Sequence, residues 1–289
     1  MVRAKFEELK ETKKTIKKQI EELKELDKMK IEFLNITSHE LKTPLTQIIA
    51  YLDILQNEKQ GKLNKNQKES LKIISSNTKR LKSLIWDILD LSGLESKQIK
   101  FDMQPIKINE VIEDAIRDVK SLAEEKNITI NKNLGNFPLI EGDEERLKQV
   151  ITNLVNNAIK FTPKRGKIDI NVGKKSYRLF ITVKDMGIGI KKIYLEKIFD
   201  KFYQVDTGDK RKYSGTGLGL TICQGIIKAH GGEIWAESEP KKGSAFNILL
   251  YYKRLGKPTE AFTEAFSKRG GGGKIKKLIE VENDKDNAC

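Results

Sequence analysis

Long apolar runs are missing from this chain. None approaches the ~20 residues that span a bilayer, and the amino-terminal segment has no apolar core of the signal-peptide kind. The expected location is the cytoplasm. Cysteine is nearly missing as well. Cys223 and Cys289 lie far apart and form no Cys-x-x-Cys pair, which excludes a disulfide frame and fits a reducing compartment. Helix-turn-helix, RNP and zinc-finger patterns are lacking, although the net charge is +14. Nucleic-acid binders cluster their cations. Here the lysines are spread along the chain, mostly near Glu or Asp. They read as a solvated surface, and no specific nucleic acid is expected; an acidic protein partner is compatible with the charge.

What the chain does have is helical repeat. Its 289 residues suit about two domains. Residues 5–30 contain neither Gly nor Pro, and Phe6, Leu9, Ile16, Ile20 and Leu23 follow a coiled-coil seam that Lys13 interrupts. The seam then shifts to Leu26, Met29, Phe33 and Ile36, a stammer that overwinds a supercoil. An imperfect dimer zipper and a signal-carrying input helix both fit. From Ser38 the seam runs through Leu41, Leu45, Ile48, Leu52 and Leu55. A turn at 57–64 reverses the chain, and Leu71, Ile74, Thr78, Leu81, Ile85 and Ile88 repeat the rhythm. The result is a helical hairpin with one apolar face uncovered. Two copies close a four-helix bundle, so a homodimer is expected.

Residues 92–108 lose the heptad, carry Gly93 and Pro105, and read as a hinge. Beyond them helices are expected at about 108–126, 143–161 and 218–230. Strands are expected at "NITINKN", "KIDINVG", "YRLFITVKD", "GEIWAES" and "SAFNILLYY". Without regular βαβ alternation this mixture suggests an α+β sandwich. The tail from 256 carries "RGGGG", a flexible linker.

Three stretches carry chemistry. In "EERLKQVITNLVNNAIKFTP", Leu147, Val150, Ile151, Leu154, Val155 and Ala158 form a core face, while Asn153, Asn157 and Lys160 share a polar one. Amide oxygens are hard donors that suit Mg²⁺, and lysine is a point charge for phosphate; a plain solvated face is the alternative. In "LFITVKDMGIGI" an alternating strand ends in Asp185, with Gly187 and Gly189 following. A carboxylate there can accept a bond from an exocyclic amine such as adenine's, and glycines let backbone approach a flat ring; a tight turn is the alternative. In "YSGTGLGL", Gly215, Gly217 and Gly219 precede a helix, where N–H groups cradle phosphates. No strand runs directly into this loop, so a nucleotide lid fits better than a dinucleotide fold.

With "SHELKTPL" at 38–45 and "IFDKFYQVD" at 198–206, these stretches resemble, in order, the H, N, G1, F and G2 boxes of the sensor histidine kinases of two-component systems: "SHELKTPL", "NLVNNAIKF", "DMGIGI", "IFDKFYQVD" and "GTGLGL". The resemblance covers roughly residues 28–254. It implies a dimeric helical-hairpin domain joined to a Bergerat-type (GHKL) ATP-binding α+β sandwich. The division it implies is an input coiled coil at 1–27, the phosphotransfer hairpin at 28–98, the ATP-binding domain at 99–255 and a tail at 256–289. It implies ATP and Mg²⁺ as cofactors and a response-regulator receiver domain as partner, with any membrane link made through a sensor region absent from this chain.

Roles follow by position. His39 would attack the γ-phosphate, Glu40 would take the proton, and Thr43 would position water for phosphatase activity. Pro44 would bend the helix. Asn153 would ligate Mg²⁺, while Asn157 and Lys160 would contact phosphates. Asp185 would read the adenine amine beside Gly187 and Gly189, with Phe161 and Phe202 lining the site. Gly215, Gly217 and Gly219 would anchor the lid. Gln204 stands where many relatives carry a basic residue near the γ-phosphate; Lys210, Arg211 or Lys212 would have to substitute. His230 reads as a helix end before a Gly cap, and Cys223 as core. An inert nucleotide-binding scaffold and another ATPase or serine kinase of the same fold are the remaining alternatives.

Overall fold

The computed structural model describes residues 2–96, 99–175, 177–205 and 215–251; the side chains of Leu9, Ser38 and His39, the cations Lys210, Arg211 and Lys212, and the tail lie outside what is described. Helix α1, Val2–Gln56, is a single element that continues through Pro44. Input coil and hairpin are therefore one helix, because a proline within a long apolar stripe removes only one N–H from the ladder. The chain turns where the sequence indicates. Asn64 caps α2, Lys65–Glu95, with a reciprocal bond to Gln67: the Gln67 N–H donates to Asn64 Oδ1 and the Asn64 N–H to Gln67 Oε1, both at 2.9 Å.

The heptad stripe of the hairpin splits into two by position. Leu45, Leu52, Thr78 and Ile85 are buried between the two helices, whereas Leu41, Ile48, Ile74, Leu81 and Ile88 alternate with them and stay exposed. Phe6, Ile16, Ile20, Leu23, Leu26, Met29, Phe33 and Ile36 of α1 are exposed too. Burying one such side chain is worth about 1.5–3 kcal/mol. A monomer leaves this stripe in water.

The segment 92–108 is only partly a hinge. Helix α2 runs on to Glu95, and Gln104–Ile106 forms β1, antiparallel to β3, Ile140–Gly142. Strands of three residues show no alternation, so periodicity could not reveal them. The larger sheet has the order β2-β4-β5-β7-β6: β2 Thr129–Leu134, β4 Lys167–Lys175, β5 Arg178–Asp185, β6 Glu233–Glu239, β7 Gly243–Tyr251. Its one parallel pair is β2 with β4. Register sets Ile170 against Val183, Ile181 against Ile248 and Val183 against Phe246, so one face is continuously apolar. Helices α3 (Ile108–Glu125), α4 (Glu144–Phe161) and α5 (Gly219–Ala229) supply Val111, Ile112, Ala115, Leu147, Val150, Leu154, Ile222 and Ile226 to the core. The whole expected core face of α4 is buried. Among the described residues no helix is long and apolar enough to cross a membrane.

Candidate active site

Helix α4 is fixed at both ends. At its start Asp143 is the N-cap: Oδ1 accepts from the Arg146 N–H at 3.1 Å and Oδ2 from the Asp102 N–H at 2.9 Å. The Asp143 N–H donates to His230 Nε2 at 2.9 Å, and His230 Nδ1 lies 2.8 Å from the Ile226 carbonyl. These bonds assign the proton to Nδ1 and occupy the Nε2 lone pair. His230 is thus a structural residue at the end of α5, as its position before Gly231 indicates. At the other end of α4 the Lys126 ammonium donates to the carbonyls of Ile159, Lys160 and Thr162, at 2.7, 2.9 and 3.3 Å. Sequence reasoning did not single out Lys126. The polar face of Asn153, Asn157 and Lys160 is therefore held on a rigid element.

Strand β5 delivers the carboxylate. Asp185 is in phase with the core residues Leu179, Ile181 and Val183, so the alternation drives it inward, and it is 3% exposed. Its Oδ1 accepts from the N–H groups of Gly187 at 2.7 Å and Ser244 at 3.3 Å. Burial pushes its carboxyl above the ordinary range, against those two bonds. Gly187 is required by close approach: a Cβ there would lie 2.7 Å from the Phe161 carbonyl oxygen. The Lys160 ammonium lies over the Phe161 ring, 4.9 Å from its centroid.

The loop before α5 supplies the third side. Gly217 has φ +74°, and a Cβ there would come within 2.8 Å of the Phe202 backbone, whose N–H donates to the Gly217 carbonyl at 3.0 Å. The Gly219 backbone faces the Asn153 amide, 3.7 Å from where a Cβ would stand. Among the described residues no side chain caps the N-terminus of α5, and a helix start of this kind offers its N–H groups to phosphate. Cys223, on the inner side of α5, is fully buried, and burial pushes its thiol up to about 12. That suits the expected core role.

Together these elements enclose a cavity of about 830 Å³, in the range of nucleotide and cofactor sites. Of the sequence-predicted nucleotide residues all but Gly187 line it; Gly187 instead packs behind Asp185. Glu40 and Thr43 lie exposed on α1. His39 is on the same helix.

Sequence reasoning missed one wall. Arg80, Ser83 and Asp87 of α2 also line the cavity. Helix α2 is held there by polar contacts. Thr216 Oγ1 donates to Asp87 at 2.8 Å, Asp90 accepts from Arg146 at 2.7 Å and from Gln149 at 2.5 Å, and Glu95 pairs with Lys201. The signal was present in the sequence. Arg80, Ser83, Asp87 and Asp90 recur at spacings of three and four, a polar stripe beside the apolar one. Burial raises the Asp87 carboxyl, with the charge of Asp90 adding to the rise and the Thr216 bond opposing it.

The family model for the His Kinase A (phospho-acceptor) domain matches residues 29–97, and that for the histidine kinase-, DNA gyrase B- and HSP90-like ATPases matches residues 142–254. Sensor histidine kinase WalK of Bacillus subtilis (strain 168) is 37% identical over 237 residues, 81% of this chain and 38% of WalK. Sensor histidine kinase RcsC of Escherichia coli (strain K12) is 38% identical over 226 residues, 75% of this chain and 23% of RcsC. The chain thus spans well under half the length of these relatives. The crystal structure of full-length ShkA in complex with AMPPNP is similar at a TM-score of 0.65 and 28% identity, over 80% of this chain and 48% of ShkA. A phosphoacceptor helical hairpin followed by a histidine-kinase-type ATPase domain, matched in that order, makes this chain a member of the two-component sensor histidine kinases.

Proposed function

We propose that the chain binds ATP in the α4–β5–α5 cavity, phosphorylates His39, and passes the phosphoryl group to an aspartate of a response-regulator receiver domain. The observation that carries this is the convergence of Asn153, Asn157, Lys160 and Asp185 on one cavity in a chain whose α1 bears His39–Glu40. Asp185 would accept the adenine amine, with Phe161 and Phe202 beside the base. Asn157, Lys160 and the N–H groups of α5 would hold the phosphates. Asn153 fits Mg²⁺: its amide lines the cavity beside the first residue of α5, and an amide oxygen is a hard donor. When bound, that ion neutralises phosphate charge. An imidazole nitrogen of His39 forms the new P–N bond as the bond from Pγ to the bridging oxygen breaks and ADP leaves. Glu40 takes the proton from the other ring nitrogen. The kinase portion would act in the cytoplasm. Incubation with γ-labelled ATP and Mg²⁺ should leave label on the chain after nucleotide is removed; an inert scaffold would bind nucleotide and keep none.

The working unit we propose is a homodimer, with the exposed stripe of Leu41, Ile48, Ile74, Leu81 and Ile88 covered by a second hairpin and the stripe of α1 by a coiled coil. Leu81→Glu places a charge twice in that interface and should weaken dimerisation at least about tenfold. Sedimentation of the full chain over a concentration series reads this; an unchanged dissociation constant would place the interface elsewhere.

Thr43 is four residues after His39 and lies on the same side of α1. We expect its hydroxyl to orient water toward a phospho-aspartate, so Thr43→Ala should retain autophosphorylation and slow receiver dephosphorylation. If autophosphorylation, transfer to the receiver and dephosphorylation all fall together with the melting temperature, Thr43 serves only to seat Pro44.

A further inference from the structure

The hairpin reaches into the nucleotide cavity, and its contribution there is charged. Arg80 and Lys160 are the two cationic side chains among the described residues of the wall. They stand on different elements, one on α2 and one at the end of α4. The Lys160 ammonium is disfavoured first by burial and then by the charge of Arg80. Two cations that sense each other across a cavity are stabilised by an anion between them. The Lys160 Nζ lies against the lid, 3.0 Å from where a Cβ on Gly215 would stand. Gln204 of the same wall is neutral, and its amide is engaged with the Gly215 carbonyl at 2.9 Å. The acidic members of the wall have other partners: Asp87 accepts from Thr216, and Asp185 from Gly187 and Ser244. The bonds of Asp90 to Arg146 and Gln149 keep α2 alongside α4.

We propose that Arg80 binds the terminal phosphate of the nucleoside triphosphate, so that the nucleotide site is completed by the phosphotransfer hairpin and distinguishes triphosphate from diphosphate. This rests on the assignment of the cavity to ATP. A guanidinium pairs with phosphate oxygens as a fork, while Lys160 would supply the opposite point charge. The diphosphate, one phosphoryl group shorter, leaves Arg80 without its partner.

The test is calorimetric titration of the full chain with AMPPNP and with ADP, each with Mg²⁺. Arg80→Gln should weaken AMPPNP binding about tenfold and change ADP binding less than twofold; Arg80→Lys should recover part of the loss. Equal losses for both nucleotides, or none for AMPPNP, overturn the proposal. Asn157→Ala separates the two levels. If it weakens both nucleotides while Arg80→Gln leaves their ratio unchanged, the ATP site stands and the role of Arg80 falls. If it weakens neither, the cavity itself is misassigned.

Discussion

His39→Gln takes up no phosphoryl label from ATP while binding Mg²⁺–AMPPNP like the unaltered chain. Glutamine keeps the helix and the approximate volume but has no ring nitrogen to attack phosphorus. Glu40 stands next to His39, exposed on α1. If it is the proton acceptor proposed above, its loss is graded: Glu40→Gln should slow labelling by about 10²–10⁴-fold and leave nucleotide affinity unchanged. The one other histidine cannot take over. His230 has one ring nitrogen on the Ile226 carbonyl and the other on the Asp143 N–H. Its loss would disturb the cap of α4 instead, lowering nucleotide affinity and stability together. Label retained on His39→Gln would remove His39 from the mechanism.

The second large effect belongs to Asp185. Gly187 and Ser244 hold its Oδ1 through their N–H groups. Asp185→Asn keeps that acceptor but turns an amide donor toward the cavity, where on the proposed reading the adenine amine would also donate. A charge-assisted bond is lost and a donor is left facing a donor. That costs about 1.5–3 kcal/mol, or roughly ten- to hundredfold in affinity. Stability moves the other way. Burial raises the folded-state pKa of Asp185, so folding favours the protonated carboxyl. Its contribution is fully present below the unfolded pKa, about 3.9, and is lost as pH rises through the higher folded value. Asparagine has no such loss. The variant should therefore melt at the same temperature or higher near neutral pH without nucleotide, and its advantage should shrink as pH falls through the ordinary carboxylate range. Asn157→Ala should behave alike, since alanine is the better helix former: weaker binding without loss of fold. Melting curves against pH, paired with nucleotide titrations, check both. A variant that unfolds yet binds normally in its folded fraction would make these side chains structural.

Much of this was legible before the fold was known, because it lies in local periodicity. The core face of α4 and its Asn153–Asn157–Lys160 face are one helical pattern, and the inward carboxylate of Asp185 follows from alternation along β5. The turn at 57–64 follows from the break between the two heptad stretches, and the Asn64 cap marks where the second begins. What escaped was non-local. Arg146 and Asp90 are 56 residues apart, and Thr216 and Asp87 are 129 apart; no window of sequence contains both partners. The β1–β3 ribbon is too short to show a period, and Pro105 argues against a strand until its edge position is seen. Lys126 looked like one more surface lysine. Only the approach of the ends of α3 and α4 turns its ammonium into a cap for the helix that carries Asn153, Asn157 and Lys160.

The claim on which all else rests is transfer of the γ-phosphoryl group of ATP to His39. Label the full chain with γ-labelled ATP, divide it, and expose the halves to acid and to alkali before mapping the labelled peptide. A phosphoramidate on His39 loses its label in acid, keeps it in alkali, and maps to the peptide "IEFLNITSHELK". Label that survives acid, or that maps to a serine, threonine or tyrosine elsewhere in the chain, would contradict it.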